Sequence, residues 1–311
     1  MEQEPRRPFC ADISAETAEP LSATASRIDH WILVEYRGLW SRDVLGGSLL
    51  SDRVKNALRE QLDALPRSRL LFIRRPERRA QSRRAVYVAR STERRQSLAA
   101  LEIDDAEELA SLDLAKAAEP VDHPLLVVCT HGKRDRCCAR YGRPLYDRLR
   151  EEAEKDWVWQ ATHVGGDRFA GNLVCLPHGL YFGRVGAEDV WPLVDEFAAG
   201  RIYLDCYRGR SCYSFSVQAA ELAVREASAI TEVDGVQLVS AHVSGPQSWS
   251  IRLLVPATGE VHEVDVEREA GELTYLTCDA KVLRRPRRHV ALRRRVVSRR
   301  RAGEIPRGPG A

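Results

Sequence analysis

Apolar and polar positions alternate or cluster along this chain in a way that predicts a mixed α/β order. Trp31 to Tyr36 (WILVEY) is an apolar and aromatic run and reads as a strand. Gly38, Gly46 and Gly47 mark the loop after it. Ser51 or Asp52 can cap a helix over Arg53 to Ala64, with Val54, Leu58 and Leu62 on one face, and Pro66 stops it. Leu70 to Ile73, Ala85 to Ala89 and Leu98 to Ile103 read as strands. Asp104 and Asp105 open a helix running through Glu107 to Ala118, and Pro120 and Pro124 bracket a junction. Leu125 to Cys129 (LLVVC) then has the continuous apolar character of a buried strand. A polar loop (Thr130 to Arg136) and a helix from Pro144 through Leu149 to Ala153 follow. Next come a strand at Trp157 to Thr162, a glycine-rich loop from Gly165 to Gly171, and a hairpin of Leu173 to Leu176 and Leu180 to Val185. Asp189 to Ala199 and Val217 to Ala229 are helical. Val236 to Val243, Ser248 to Val255 and Val261 to Val266 read as strands, and Leu273 to Cys278 as one more.

The order strand, helix, strand, hairpin, helix in the second half is that of a thioredoxin-like α/β unit. The first half runs strand, helix, strand, strand, helix. The expected fold is therefore α/β, as a duplicated thioredoxin-like arrangement with a small C-terminal α+β module. The boundaries that follow are a mobile leader (1–26), an N-terminal α/β domain (27–119), a thioredoxin-like domain (120–205), an α+β extension (206–280) and a basic tail (281–311).

Composition narrows the function classes. At 311 residues with 44% apolar and 30% charged positions, the chain can bury a real core. No window approaches the ~18 apolar residues of a membrane helix. The first twenty residues carry five acids and no apolar core of a signal peptide, so a cytoplasmic protein with reduced thiols is expected. The net charge of +3 hides an asymmetry: residues 281–311 hold Lys281, eleven arginines and one acid, leaving a body of 36 basic and 44 acidic residues. A nucleic-acid or acidic-membrane reading must rest on that tail or on the arginines between Arg67 and Arg95, either of which is equally a solvated face. Without a signal peptide, the eight cysteines (10, 129, 137, 138, 175, 206, 212 and 278) point to metal or thiol chemistry rather than a disulfide framework.

Two stretches carry that chemistry. Cys129-Thr-His-Gly-Lys-Arg-Asp-Arg-Cys137-Cys138 places three sulfurs on a loop leaving a buried strand. Thiolates suit zinc, copper(I) or iron–sulfur clusters, and Lys133, Arg134 and Arg136 would steady the negative charge. Thr162-His163-Val-Gly-Gly-Asp167-Arg168-Phe-Ala-Gly-Asn172 sets His163 and Asp167 with three residues between them in a loop whose glycines allow close approach. Cys206 and Cys212 read as reduced structural thiols, and Cys10 as a free thiol in the leader. There is no phosphate-binding loop, dinucleotide fingerprint, zinc-protease helix or nucleophile elbow.

The chain resembles the sucrase/ferredoxin-like family of thioredoxin-like ferredoxins. The resemblance runs from about Asp29 to Cys278 and rests on C-T-H-G-K-R-D-R-C-C (129–138), H-V-G-G-D-R-F-A-G-N (163–172), L-P-H-G-L-Y-F-G-R-V (176–185) and Y-R-G-R-S-C-Y (207–213). It implies a two-iron, two-sulfur cluster held by two cysteines of the first motif and two histidines of the second. The first cysteine falls on Cys129, the second on Cys138 with Cys137 as the alternative, and the first histidine on His163. Asp167 stands where the second histidine is expected. Cys137, Cys175, His178 and Cys278 are spare donors. Arg134, Arg136 and Arg168 would donate to the sulfides, attract an acidic redox partner protein, or serve as surface ion-pair residues.

The expectation is thus an electron carrier with no catalytic residue of its own, ligated by Cys129, Cys138, His163 and Asp167. Its rivals are a thiol oxidoreductase using Cys138 or Cys129 activated by Arg134 or Lys133, a structural zinc protein, and a binding module acting through the tail. Redox partner and oligomeric state are not legible in the residues.

Overall fold

A computed structural model describes residues 8–299. The first half contributes strands β1 (His30–Glu35), β2 (Ser68–Arg74), β3 (Arg84–Ser91) and β4 (Gln96–Ile103), with helix α2 (Asp52–Asp63) between β1 and β2. It is preceded by α1 (Cys10–Glu16) and closed by the short α3 (Leu114–Ala117) and β5 (Glu119–Pro120). The second half follows as β6 (Leu125–Cys129), α4 (Arg136–Glu152), β7 (Val158–Ala161), β8 (Leu173–Leu176), β9 (Leu180–Phe182) and α5 (Ala187–Ala198). Beyond it lie β10 (Tyr207–Arg210), α6 (Phe215–Ser228), β11 (Gln237–Gly245), β12 (Ser248–Val255), β13 (Glu260–Ala270) and β14 (Arg287–Arg299).

Ten strands form one mixed sheet in the order β10-β9-β8-β6-β7-β2-β1-β3-β4-β5. Within each half the first two strands pair in parallel and the next two are antiparallel. The halves meet edge to edge where β2 pairs antiparallel with β7 at Ile73–Ala161 and Arg74–Gln160. Strand period sorts the apolar residues: Trp31 and Leu33 enter one core layer with Val127 and Cys129, while Ile32 and Val34 face α2 and Leu126 and Val128 face α4 and α5. The sheet curls until its inner face closes on itself. β1 and β9 are five strand steps apart, about 24 Å in a flat sheet, yet the Trp31 and Tyr181 ring centroids are 6.2 Å apart. A second, separate sheet is the antiparallel meander β11-β12-β13-β14, covered by α6.

Several expectations change. Helix α4 begins at Arg136 rather than Pro144, because Asp135 caps it by accepting the Cys137 N–H at 2.9 Å. Pro144 sits inside the helix, and Cys137 and Cys138 occupy its first turn instead of a loop. The helix expected through Glu107 to Ala118 divides into a 3-10 turn (Ala106–Ala110) and α3. The Gln61 side chain bonds both Leu112 O and the Leu114 N–H at the break. Leu273 to Cys278 forms no strand; Thr274 makes one bridge to Arg284, and the segment brings the Cys278 N–H to Asp135 at 2.7 Å. Where a mobile leader was expected, α1 packs against the 3-10 turn Asp167–Phe169, with Cys10, Ala11 and Ser14 buried. Part of the basic tail is β14, whose Arg293 and Arg299 turn back onto Asp265 and Glu260 of β13 at 2.9 and 2.6 Å. Residues 1–7 of the leader and 300–311 of the tail lie outside the described residues.

Candidate metal centre

β6 and β7 run parallel and end side by side, with Cys129 paired to Ala161 in the last register position. Loops leaving the carboxyl ends of neighbouring parallel strands converge, so Cys129, the first turn of α4 and the segment after β7 share one corner of the sheet. The donor atoms of Cys129, Cys138 and His163 lie within 4.8 Å of one another. His163 Nδ1 is 4.0 Å from Cys129 Sγ and 3.8 Å from Cys138 Sγ. Asp167 adds a carboxylate 3.1 Å from His163 Nδ1 and 3.5 Å from Cys138 Sγ. Both cysteines are 1% exposed and Asp167 is buried, while the His163 side chain, at 19%, forms the solvent edge.

Packing explains the approach of α4. Gly142 lies one turn beyond Cys138 on the same helix face, and a methyl group there would fall 1.9 Å from the Cys129 carbonyl oxygen. A glycine in mid-helix is the sequence signal for such contact. The loop after β7 is fixed by Arg208 of β10, 1% exposed. Its guanidinium donates to Gly165 O at 3.1 Å, Asn172 Oδ1 at 2.7 Å and Thr24 O at 2.6 Å. Gly166 has φ +84°, and a Cβ there would meet Arg208 at 2.4 Å. Asn172 returns a bond to Gly166 O at 2.8 Å. Arg208 falls within the Y-R-G-R-S-C-Y motif, but its role is not legible there, because nothing local separates a buried arginine on a strand from a surface one.

Electrostatics divide the two thiols. The hydrogen bond from Cys138 and the neighbouring His163 hold the Cys129 thiol well below its ordinary range, against the opposing effect of burial. The same bond, with burial, pushes Cys138 up. Burial raises Asp167 above the usual carboxylate range, with His163 opposing. Four donors of three kinds form a set that could hold a thiophilic metal or a small cluster.

The other sequence candidates fall elsewhere. Cys137 points to a different face of α4, with its Sγ 3.2 Å from Cys278 Sγ. Cys175 is fully buried between β6 and β9, and His178 packs edge-on against Phe197. Cys206 packs under α5. Arg168 is taken up by Glu19 at 2.9 Å, and Arg136 lies over the Phe9 ring at 5.2 Å. Lys133 is exposed, whereas both site sulfurs are closed to solvent, which argues against an open thiol nucleophile.

A mixed α/β protein with thiols, imidazole and carboxylate gathered at the ends of parallel strands belongs to the class of candidate metal-binding proteins. This chain is a member of the sucrase/ferredoxin-like family, whose sequence model matches residues 21–209. That match includes both donor-bearing loops, starts before Asp29 and stops short of Cys278. Relatives named "Altered inheritance of mitochondria protein 32" are similar to it. The protein from Meyerozyma guilliermondii is 34% identical over 119 residues, covering 35% of this chain and 42% of its own length. That from Debaryomyces hansenii is 30% identical over 101 residues, covering 29% and 37% respectively. The chain thus spans less than half the length of these relatives. No solved structure matches. Among the described residues no helix is long and apolar enough to cross a membrane.

Proposed function

We propose that this protein carries electrons on a two-iron, two-sulfur cluster held by Cys129, Cys138, His163 and Asp167, in the second of two thioredoxin-like units. The observation that carries this reading is the convergence of two thiols and one imidazole from separate loops within 4.8 Å. Family membership supports the cluster. The strand order supports the fold: β9-β8-β6-β7 in one half and β4-β3-β1-β2 in the other follow the same sequence.

Bound there, the cluster would supply one-electron chemistry, at a potential set by ligand charge and exposure. The chain's own residues shape that outcome. Neutral imidazole at His163 makes the site less negative than four thiolates would, which raises the potential; the Asp167 carboxylate restores part of the negative charge. Burial of Cys129, Cys138 and Asp167 excludes water from three sides, and His163 leaves the edge through which a redox partner protein would exchange electrons. Anaerobic purification from iron-replete cells should yield a brown protein with two iron and two acid-labile sulfide per chain. A colourless, iron-free product overturns the reading.

A second reading is one zinc ion at the same corner. It is favoured by donor separations of 3.8 and 4.0 Å, close to the ~3.5 Å expected between a sulfur and a nitrogen on a single tetrahedral ion. Metal analysis on the same sample separates the two.

A further inference from the structure

We infer that the protein has a second metal site, for a structural zinc ion, built from Cys10, Cys137, Cys278 and Asp135. These side chains come from α1, the first turn and cap of α4, and the segment before β14. Their donor atoms lie within 4.8 Å of one another, and all four residues are buried. The three sulfurs form a triangle with edges of 3.5, 3.2 and 3.7 Å. Each edge is well beyond the ~2.05 Å of a disulfide. The 3.5 and 3.7 Å edges are close to the ~3.8 Å between thiolates on a tetrahedral zinc with bonds of about 2.3 Å, and the 3.2 Å edge is shorter. The carboxylate is the fourth corner, with both oxygens 4.0 Å from Cys10 Sγ.

The surroundings are those of a ligand set. The Ala11 N–H donates to Cys137 Sγ at 3.4 Å, as backbone amides do toward metal-bound thiolates. Asp135 is oriented by two backbone donors, Cys137 N at 2.9 Å and Cys278 N at 2.7 Å, one on each oxygen, which leaves lone pairs for an ion. Cys137 lies in the first turn of the seventeen-residue α4, where the helix dipole favours a thiolate. Phe9, beneath Arg136 and Arg140 and edge-on to Tyr141, flanks the pocket. A soft sulfur-rich tetrahedron selects zinc over calcium or magnesium.

The ion would clip two distant chain segments onto α4. Cys137 is the immediate neighbour of Cys138, so the clip also fixes the helix turn that serves the first centre. The proposal does not depend on what that first centre holds.

The test uses the full chain carrying Cys129→Ala, Cys138→Ala and His163→Ala, which removes the first centre. Purified with zinc present, it should retain one zinc per chain, and adding Cys278→Ser or Cys10→Ser should lower that to near zero. No zinc in the triple variant, or one zinc retained after Cys278→Ser, overturns the proposal. Should the triple variant fail to fold, the wild-type chain answers the question by alkylation mapped by mass spectrometry. Peptides containing Cys10, Cys137 and Cys278 should be protected until a chelator releases zinc, and then label at least tenfold faster. Equal labelling before and after release, or a disulfide among the three, overturns it.

Discussion

Replacing Gly142 by alanine tests the packing that brings the two site sulfurs together. On an exposed helix this change would stabilise by about 1 kcal/mol, because alanine loses less backbone entropy than glycine. Here the added methyl would lie 1.9 Å from the Cys129 carbonyl oxygen and 3.0 Å from the carbonyl carbon. The obstacle is backbone at the end of a buried strand, and Cys129 N is itself bonded to Asn172 O at 3.0 Å, so it cannot rotate away as a side chain tip could. Relief requires α4 and β6 to separate by roughly 1 Å, an overpacking that costs ~1–3 kcal/mol beyond the lost propensity gain. The net expectation is a destabilisation of about 1–3 kcal/mol, read as a lower urea midpoint at unchanged slope. The same displacement moves Cys138 away from Cys129 by about twice the ~0.5 Å that a coordination site tolerates. Iron and sulfide per chain should therefore fall more steeply than stability. If Gly142→Ala unfolds at the wild-type midpoint or above it and keeps its full metal complement, α4 is not seated on β6 as described and the reasoning fails.

Other consequences can be measured on the same material. Glu221 and Arg225 form a fully buried ion pair at 3.0 Å beneath Tyr207, so Glu221→Ala should cost about 3–5 kcal/mol by leaving a buried guanidinium uncompensated, and Glu221→Gln less; equal small losses would mean the pair is hydrated. Asp167→His exchanges an anionic donor for a neutral one and should raise the midpoint potential by on the order of 100 mV in protein-film voltammetry; an unchanged potential would show that Asp167 is not a ligand. Burial holds the His178 imidazole below its ordinary value of 6.5, aided by Arg210. Above pH 6.5 both folded and unfolded states are neutral there, and below it the unfolded chain takes up the proton first. Stability should therefore decline as pH falls from 6.5 toward 5, and His178→Gln should flatten that decline; an identical pH slope in the variant refutes it.

How much of this was legible before folding depends on the range of the signal. β1, β6 and α2 read out of the residues because their patterns are local: WILVEY and LLVVC are unbroken apolar runs, and Val54, Leu58 and Leu62 repeat at helical spacing. The donors Cys129, Cys138 and His163 were legible because each loop carries its own cluster of unusual residues. The start of α4 was not. Pro144 resembles a helix opening, and only the capping bond from Cys137 N to Asp135 reveals that the first turn lies eight residues earlier. Arg208 and the partnership of Cys10, Cys137 and Cys278 are long-range facts. The sulfurs of Cys10 and Cys278 are 3.7 Å apart and 268 positions distant, and no window over the sequence joins them.

The two halves put the same corner of the sheet to different uses. In the first, β1 ends at Glu35 as β6 ends at Cys129, each in parallel register with the following strand, Glu35 with Ile73 and Cys129 with Ala161. Glu35 is as buried as Cys129, but its carboxylate is saturated by Arg37 at 3.1 Å, Arg78 at 3.0 Å and the Ala85 N–H at 2.9 Å. Charge there is neutralised by arginine, where the second half gathers thiols and imidazole. The first half acts through shape instead. Its Tyr87 packs edge-on against Trp159 at 5.7 Å, and its Trp31 meets Tyr181, whose hydroxyl bonds Val164 O at 3.1 Å, beside His163. Closing the inner face of the sheet with one half seals the core side of the candidate site on the other, and this accounts for cysteines at the end of a strand having almost no exposure to water.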